Sequence, residues 1–153
     1  MKKIPLILVL SLFVQSLVAQ NDSLAVRIYN RSGKEVFMAF AYYAKDSITQ
    51  GYTIGWYEIP HREVLDLKLQ MIKDKGLFYH AHNILDRNDN WGGERFFMVH
   101  PFDTFWLGNA DNALFAYAYD EGLSKKEEQA IKAYPFREIE FSEEENKFML
   151  LLK

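Results

Sequence analysis

Between Val36 and Tyr43 the chain is apolar on both faces of a single extended segment. Side chains alternate along a strand, so Val36, Met38, Phe40 and Tyr42 point one way and Phe37, Ala39, Ala41 and Tyr43 the other. Such a strand needs a packed layer on each side, which places it centrally in a layered β architecture. Any fold proposed for the chain has to supply both layers.

The neighbouring segments supply strands to build them. Leu24 to Tyr29 alternates with Leu24, Val26 and Ile28 on one side. Asn30-Arg31-Ser32-Gly33 has turn chemistry, so a hairpin into the Glu35 to Ala44 strand is expected. Gly51 to Tyr57 predicts a strand interrupted by Gly55, where a missing side chain lets Trp56 or a neighbouring backbone approach. Ile59-Pro60 ends it, because proline has no N–H for a ladder. Val64 to Gln70 sets Leu65, Leu67 and Leu69 against Asp66, Lys68 and Gln70, the pattern of a half-buried strand.

Further strands are expected over Leu77 to Leu85, Arg95 to His100 and Phe102 to Leu107, with Ala113 to Tyr119 a strand or a loop wall. Phe136 to Phe141 and Lys147 to Leu152 are expected to close the chain as a terminal hairpin. Ser124 to Ala133 carries helix signals: Ser124 and Glu127 form a capping box, and Pro135 stops further winding. The fold class that follows is mainly β, an antiparallel β-sandwich or open barrel with one late α-helix.

Lys2 and Lys3 precede an apolar run from Ile4 to Val14, and Ala19 offers signal peptidase a small residue. Residues 1–19 are therefore expected to be a signal peptide and residues 20–153 a single β-rich domain, exported to the periplasm or secreted. The run is shorter than the ~20 residues that span a bilayer, so no membrane span is expected in the mature chain. The chain has no cysteine, which excludes a disulfide and leaves the core alone to hold the domain. Without Lys2 and Lys3, 16 of the 18 basic residues face 21 acidic ones, a net charge of −5. Nucleic acid is not an expected partner, since phosphate binding needs a basic surface.

The order of landmarks resembles the bacterial family filed as domain of unknown function 1036. The matching pieces are Asn30-Arg31-Ser32-Gly33, the Val36 to Tyr43 strand with Ala39, Gly55-Trp56, Ile59-Pro60, Phe78-Tyr79-His80-Ala81, Trp91-Gly92 and Phe136 to Phe141. The resemblance spans nearly all of the mature chain and implies a small exported or envelope domain without an assigned activity. Members usually carry cysteines near the first turn, after the proline and near Phe96-Phe97. This chain has none, so no family disulfide or thiol site is carried over.

Three clusters invite a chemical reading. His80 and His82 form an H-x-H pair whose imidazoles share one strand face and can reach one metal ion, with His61 or His100 as a third ligand. The plainer reading makes them the wetter face of an aromatic strand, opposite Leu77, Tyr79 and Ala81. Asp86, Asn88, Asp89 and Glu94 supply oxygens for a calcium loop, but Trp91 stands where an EF-hand needs glycine, and an Asx-rich turn explains the residues more simply. Trp56, Tyr57, Tyr79 and Trp91 offer rings for a ligand-binding platform, against core packing as the plainer account.

No G-x-S-x-G motif, phosphate-binding loop or cysteine nucleophile is present. The expected function is a non-enzymatic envelope or secreted binding module that meets a protein or glycan through those four rings, with no catalytic residue and no cofactor. The alternative is a metal-dependent hydrolase built on His80 and His82.

Overall fold

The structure, a computed structural model, describes residues 23–44, 51–101, 105–108, 130–142 and 145–153. Its strands are β1 (Ser23–Asn30), β2 (Val36–Tyr43), β3 (Gly51–Ile59), β4 (Val64–Gln70), β5 (Leu77–Asn83), β6 (Asn90–Trp91), β7 (Arg95–Val99), β8 (Phe105–Gly108), β9 (Lys132–Ile139) and β10 (Lys147–Leu152). A 3-10 turn, Lys73–Lys75, joins β4 to β5. Among the described residues no helix is long and apolar enough to cross a membrane.

The strand with two apolar faces is central. β2 lies between β3 and β5 in a seven-stranded sheet of order β7-β9-β5-β2-β3-β8, with β6 beside β5. A three-stranded sheet, β10-β1-β4, covers one of its faces. There Val36, Met38 and Phe40 of β2 and Leu77, Tyr79 and Ala81 of β5 pack with Leu24, Val26 and Ile28 of β1, Leu69 of β4 and Leu152 of β10. Burying each large apolar side chain in such a layer stabilises the fold by about 1.5–3 kcal/mol.

The second layer comes from the same sheet. It curls so that β7 approaches β3, and two side chains of β3 bond to the backbone of β7 and of the residue that follows it. The Thr53 hydroxyl donates to the Met98 carbonyl at 2.7 Å, and the Trp56 indole N–H donates to the His100 carbonyl at 2.7 Å. Inside the curl lie Ala39, Ala41, Trp56, Phe78, Phe97, Val99, Leu107 and Phe136. The fold is a β-sandwich with one curled, half-barrel sheet, antiparallel except where β10 runs parallel to β1.

Two expected hairpins are absent, and local hydrogen bonding explains each. The turn after β1 carries the chain from the small sheet to the large one, because Asn30 is buried and anchors a corner. Its amide donates to the carbonyls of Lys34 at 2.7 Å and Ile59 at 2.8 Å, while its side-chain oxygen accepts the Ser32 N–H. The terminal pair also separates. β9 is already flanked by β5 and β7, so β10 pairs with β1 and turns Phe148, Leu150 and Leu152 toward the sandwich core.

Of the expected Ser124 to Ala133 helix, residues 124–129 lie outside the described residues, as do residues 1–19 and the Ala113 to Tyr119 segment. Its end is corrected: Ala130 is helical, but Lys132 and Ala133 already belong to β9, paired with Val99 and Met98. Pro135 does not break that pairing. Its carbonyl faces β5, so the N–H it lacks is one that the β7 ladder does not use.

Candidate functional site

Four strands place rings at one end of the curled face. β5 alternates, sending Leu77, Tyr79 and Ala81 into the sandwich and Phe78, His80 and His82 into the curl. β9 contributes Tyr134 and Phe136, and β2 contributes Phe37.

Trp56 arrives by a β-bulge. Met38 pairs with Tyr57 and Phe40 with Ile54, so Gly55 and Trp56 of β3 together oppose Ala39 alone. The extra residue breaks the alternation: Ile54 and Tyr57 face the sandwich, while Trp56 faces the curl. Gly55 is required there, since a Cβ would lie 2.7 Å from the Ala39 Cβ.

The rings enclose the histidines closely. The centre of Trp56 lies 4.9 Å from His82 and 5.8 Å from His80, both edge to face. Tyr134 stands 5.1 Å from His80 at 87°, and Phe37 stands 6.0 Å from His82. His80 is 1% exposed and His82 2%, which corrects the expectation that they form a wetter face.

Pro135 ends the ladder between β5 and β9 beyond Tyr79 and Arg137, and the His80 side chain takes over its carbonyl. A carbonyl only accepts, so His80 Nδ1 carries the proton and donates to Pro135 O at 2.7 Å. In the neutral ring His80 Nε2 is then a bare lone pair. Among the described residues it is buried without a hydrogen-bond partner, and so is His82 Nδ1.

Burial pushes the His80 pKa below its ordinary value, against the opposing bond to Pro135. Burial, then the neighbouring His80 and Arg87, push His82 down from 6.5 to about 4. Both rings are neutral at neutral pH. The Tyr134 hydroxyl lies 3.4 Å from Arg87 Nη1, which sets a cation at the rim of the site.

The other expected site residues fall elsewhere. Tyr57, Tyr79 and Trp91 face the sandwich, opposite to Trp56, so the four rings form no common platform. Trp91 is half-buried and its indole donates to the Lys153 carbonyl at 3.1 Å. Burial raises the pKa of the Tyr57 and Tyr79 phenols. His61 is exposed, accepting the Gly33 N–H at 3.1 Å, and the His100 carbonyl is the acceptor of the Trp56 indole. Among the described residues no group of three His, Cys, Asp or Glu side chains is placed to share a metal ion.

The acidic loop is an Asx turn, with the Asn88 N–H on Asp86 Oδ1 at 3.0 Å. Its Asp89 carboxylate receives Lys34 and Asn83, and the Lys34 bond is the main cause holding its pKa below the ordinary value. Glu94 is exposed.

Tyr134, Phe37 and Arg87 were not singled out in the sequence. Tyr134 falls between the end of the expected helix at Ala133 and its stop at Pro135, ahead of the expected Phe136 to Phe141 strand. The signal that would have found it is the Lys132, Tyr134, Phe136 alternation running through Pro135. No family model, curated protein or solved structure matches the chain.

Proposed function

We propose that the chain is an exported, non-enzymatic binding module whose ligand is taken at the ring-lined end of the curled face. The observation that carries this reading is the pair of buried imidazole nitrogens, His80 Nε2 and His82 Nδ1, left without a partner. An unpartnered buried polar group costs about 1–3 kcal/mol, and two side by side are a feature that a fold selected for stability alone would replace with apolar side chains. A ligand that meets both nitrogens recovers that cost on binding.

The resemblance to domain of unknown function 1036 and the leader-like first 19 residues support an exported envelope or secreted setting. The dispersal of Tyr57, Tyr79 and Trp91 away from Trp56 moves the reading from a flat protein or glycan platform toward a small, enclosed ligand. The alternative, a metal-dependent hydrolase on the same pair, has the imidazoles, but among the described residues no grouping adds a carboxylate to serve as third ligand or base.

Native mass spectrometry of protein recovered from its own export route, without denaturation, tests the reading. A bound species that is lost on replacing both histidines supports it. An unliganded mass for wild type under those conditions contradicts it.

A further inference from the structure

We propose that His80 Nε2 and His82 Nδ1 together bind one d-block cation of low charge, for which Cu(I) is the best-fitting ion. The inference rests on the reading of the curled face as a ligand site and names the ligand's chemistry.

Geometry supports it first. The two nitrogens belong to side chains on one face of β5, both are buried, and neither has a hydrogen-bond partner. The ring centres are 5.5 Å apart. Two imidazoles bound to one ion at about 2.0–2.1 Å place their centres roughly 5 Å apart at a tetrahedral angle and roughly 6.4 Å apart when collinear, so a small rotation of either ring reaches the collinear arrangement. The bond from His80 Nδ1–H to the Pro135 carbonyl supplies the orientation that metal-binding histidines characteristically receive from a backbone oxygen. It fixes the tautomer that leaves Nε2 free to coordinate.

Charge then selects the ion. Both donors are neutral, and among the described residues no carboxylate or third imidazole groups with them. The bound ion would keep its full charge in a buried setting, and the solvation penalty grows with the square of that charge. Arg87, whose positive field already reaches His82, raises the penalty for a divalent ion further. Cu(I) is a closed-shell monovalent ion that accepts two nitrogen donors, and imidazole suits copper.

The test is an anaerobic titration in which purified protein competes for Cu(I) with a chromophoric chelator, with tryptophan fluorescence recorded alongside. One equivalent of Cu(I) should leave the chelator, and indole emission should be quenched, since Trp56 lies against both histidines. Affinity should fall at least tenfold in His80→Gln and in His82→Gln and stay unchanged in the exposed-residue control His61→Gln. A titration of folded wild type with Ag(I), a redox-inert monovalent analogue, reads the same site without relying on a variant's fold and should quench at one equivalent.

Failure of folded wild type to take Cu(I) or Ag(I) overturns the inference, and so does equal affinity in the His80→Gln and His82→Gln proteins. Zn(II) binding as tight as Cu(I) overturns the low-charge assignment. Native mass spectrometry separates the two readings. An organic species held at the histidines, with no metal binding, leaves the binding module standing and removes the metal, whereas an unliganded protein that takes no ion removes both.

Discussion

The face of β2 that carries Val36, Met38 and Phe40 is sealed by aliphatic side chains from a second sheet. The face that carries Phe37, Ala39 and Ala41 is closed by its own sheet curling over, and its filling is rings and imidazoles. On the first face the buried strand side chains are almost all apolar. On the second, two buried nitrogens go unmet and Gly55 lies too close to Ala39 to carry a side chain. The contrast lies within one sheet: the sandwich face is filled by side chains that cost nothing to bury, and under the proposed reading the curled face gives up stability to keep two unmet nitrogens among rings. Trading local stability for a preorganised site is common in binding proteins.

The largest effect should come from the sandwich face. Phe40 is fully buried there, and Phe40→Ala is expected to cost about 3–5 kcal/mol in denaturant unfolding. A loss below that range would mean the sandwich core is less decisive than its packing indicates. Next is the bulge. Gly55→Ala would press a methyl to within 2.7 Å of the Ala39 Cβ, at an expected cost of about 1–3 kcal/mol, with a change in indole emission as Trp56 shifts. Unchanged emission would show that the bulge does not position the ring.

The histidines should behave in the opposite sense to Phe40. His82→Leu removes a buried unmet nitrogen and is expected to leave stability at pH 7 within about 1 kcal/mol of wild type, or above it, while ligand binding is lost. Acid sharpens this. Between 6.5 and about 4 the unfolded chain takes up a proton that folded His82 refuses, so wild-type stability falls as pH falls through that window. The slope approaches about 1.4 kcal/mol per pH unit for one proton, and the loss from this group ends below the folded pKa. His82→Leu should flatten the profile, and an equally steep profile in the variant would assign the acid sensitivity elsewhere. The smallest effect is expected outside both faces. Arg27 and Asp66 pair at 2.7 Å on the solvent side of the small sheet, so Arg27→Ala should leave the unfolding midpoint close to wild type at moderate salt.

Most of the fold was legible because alternation is a local signal. The two faces of β2, the inward leucines of β4 and the stop at Pro60 all appear in the structure as the residue pattern implies. Pairing was less legible. A turn signal at Asn30 marks a reversal of the chain, but its buried amide, bonded to carbonyls 4 and 29 residues away, makes the reversal a change of sheet. The parallel partnership of β1 and β10 joins segments from the two ends of the domain, and no local pattern encodes it.

The site was half legible. The H-x-H spacing put both imidazoles on one face, but their burial depends on the curl of the sheet, which closes through Thr53 and Trp56 far along the chain. Trp56 reaches them because one extra residue in β3 reverses its direction, and a period-two reading assigns it to the wrong side.

The central claim is that two neutral imidazoles keep unpartnered nitrogens inside the curled face, with His80 bare at Nε2. Nitrogen-15 NMR of the histidine rings near neutral pH measures this directly, since protonated and unprotonated ring nitrogens resonate far apart. The account predicts His80 protonated at Nδ1 and bare at Nε2, and His82, whose pKa is pushed down to about 4, still neutral at pH 6. A neutral His80 ring protonated at Nε2, or a His82 ring cationic at that pH, would contradict it.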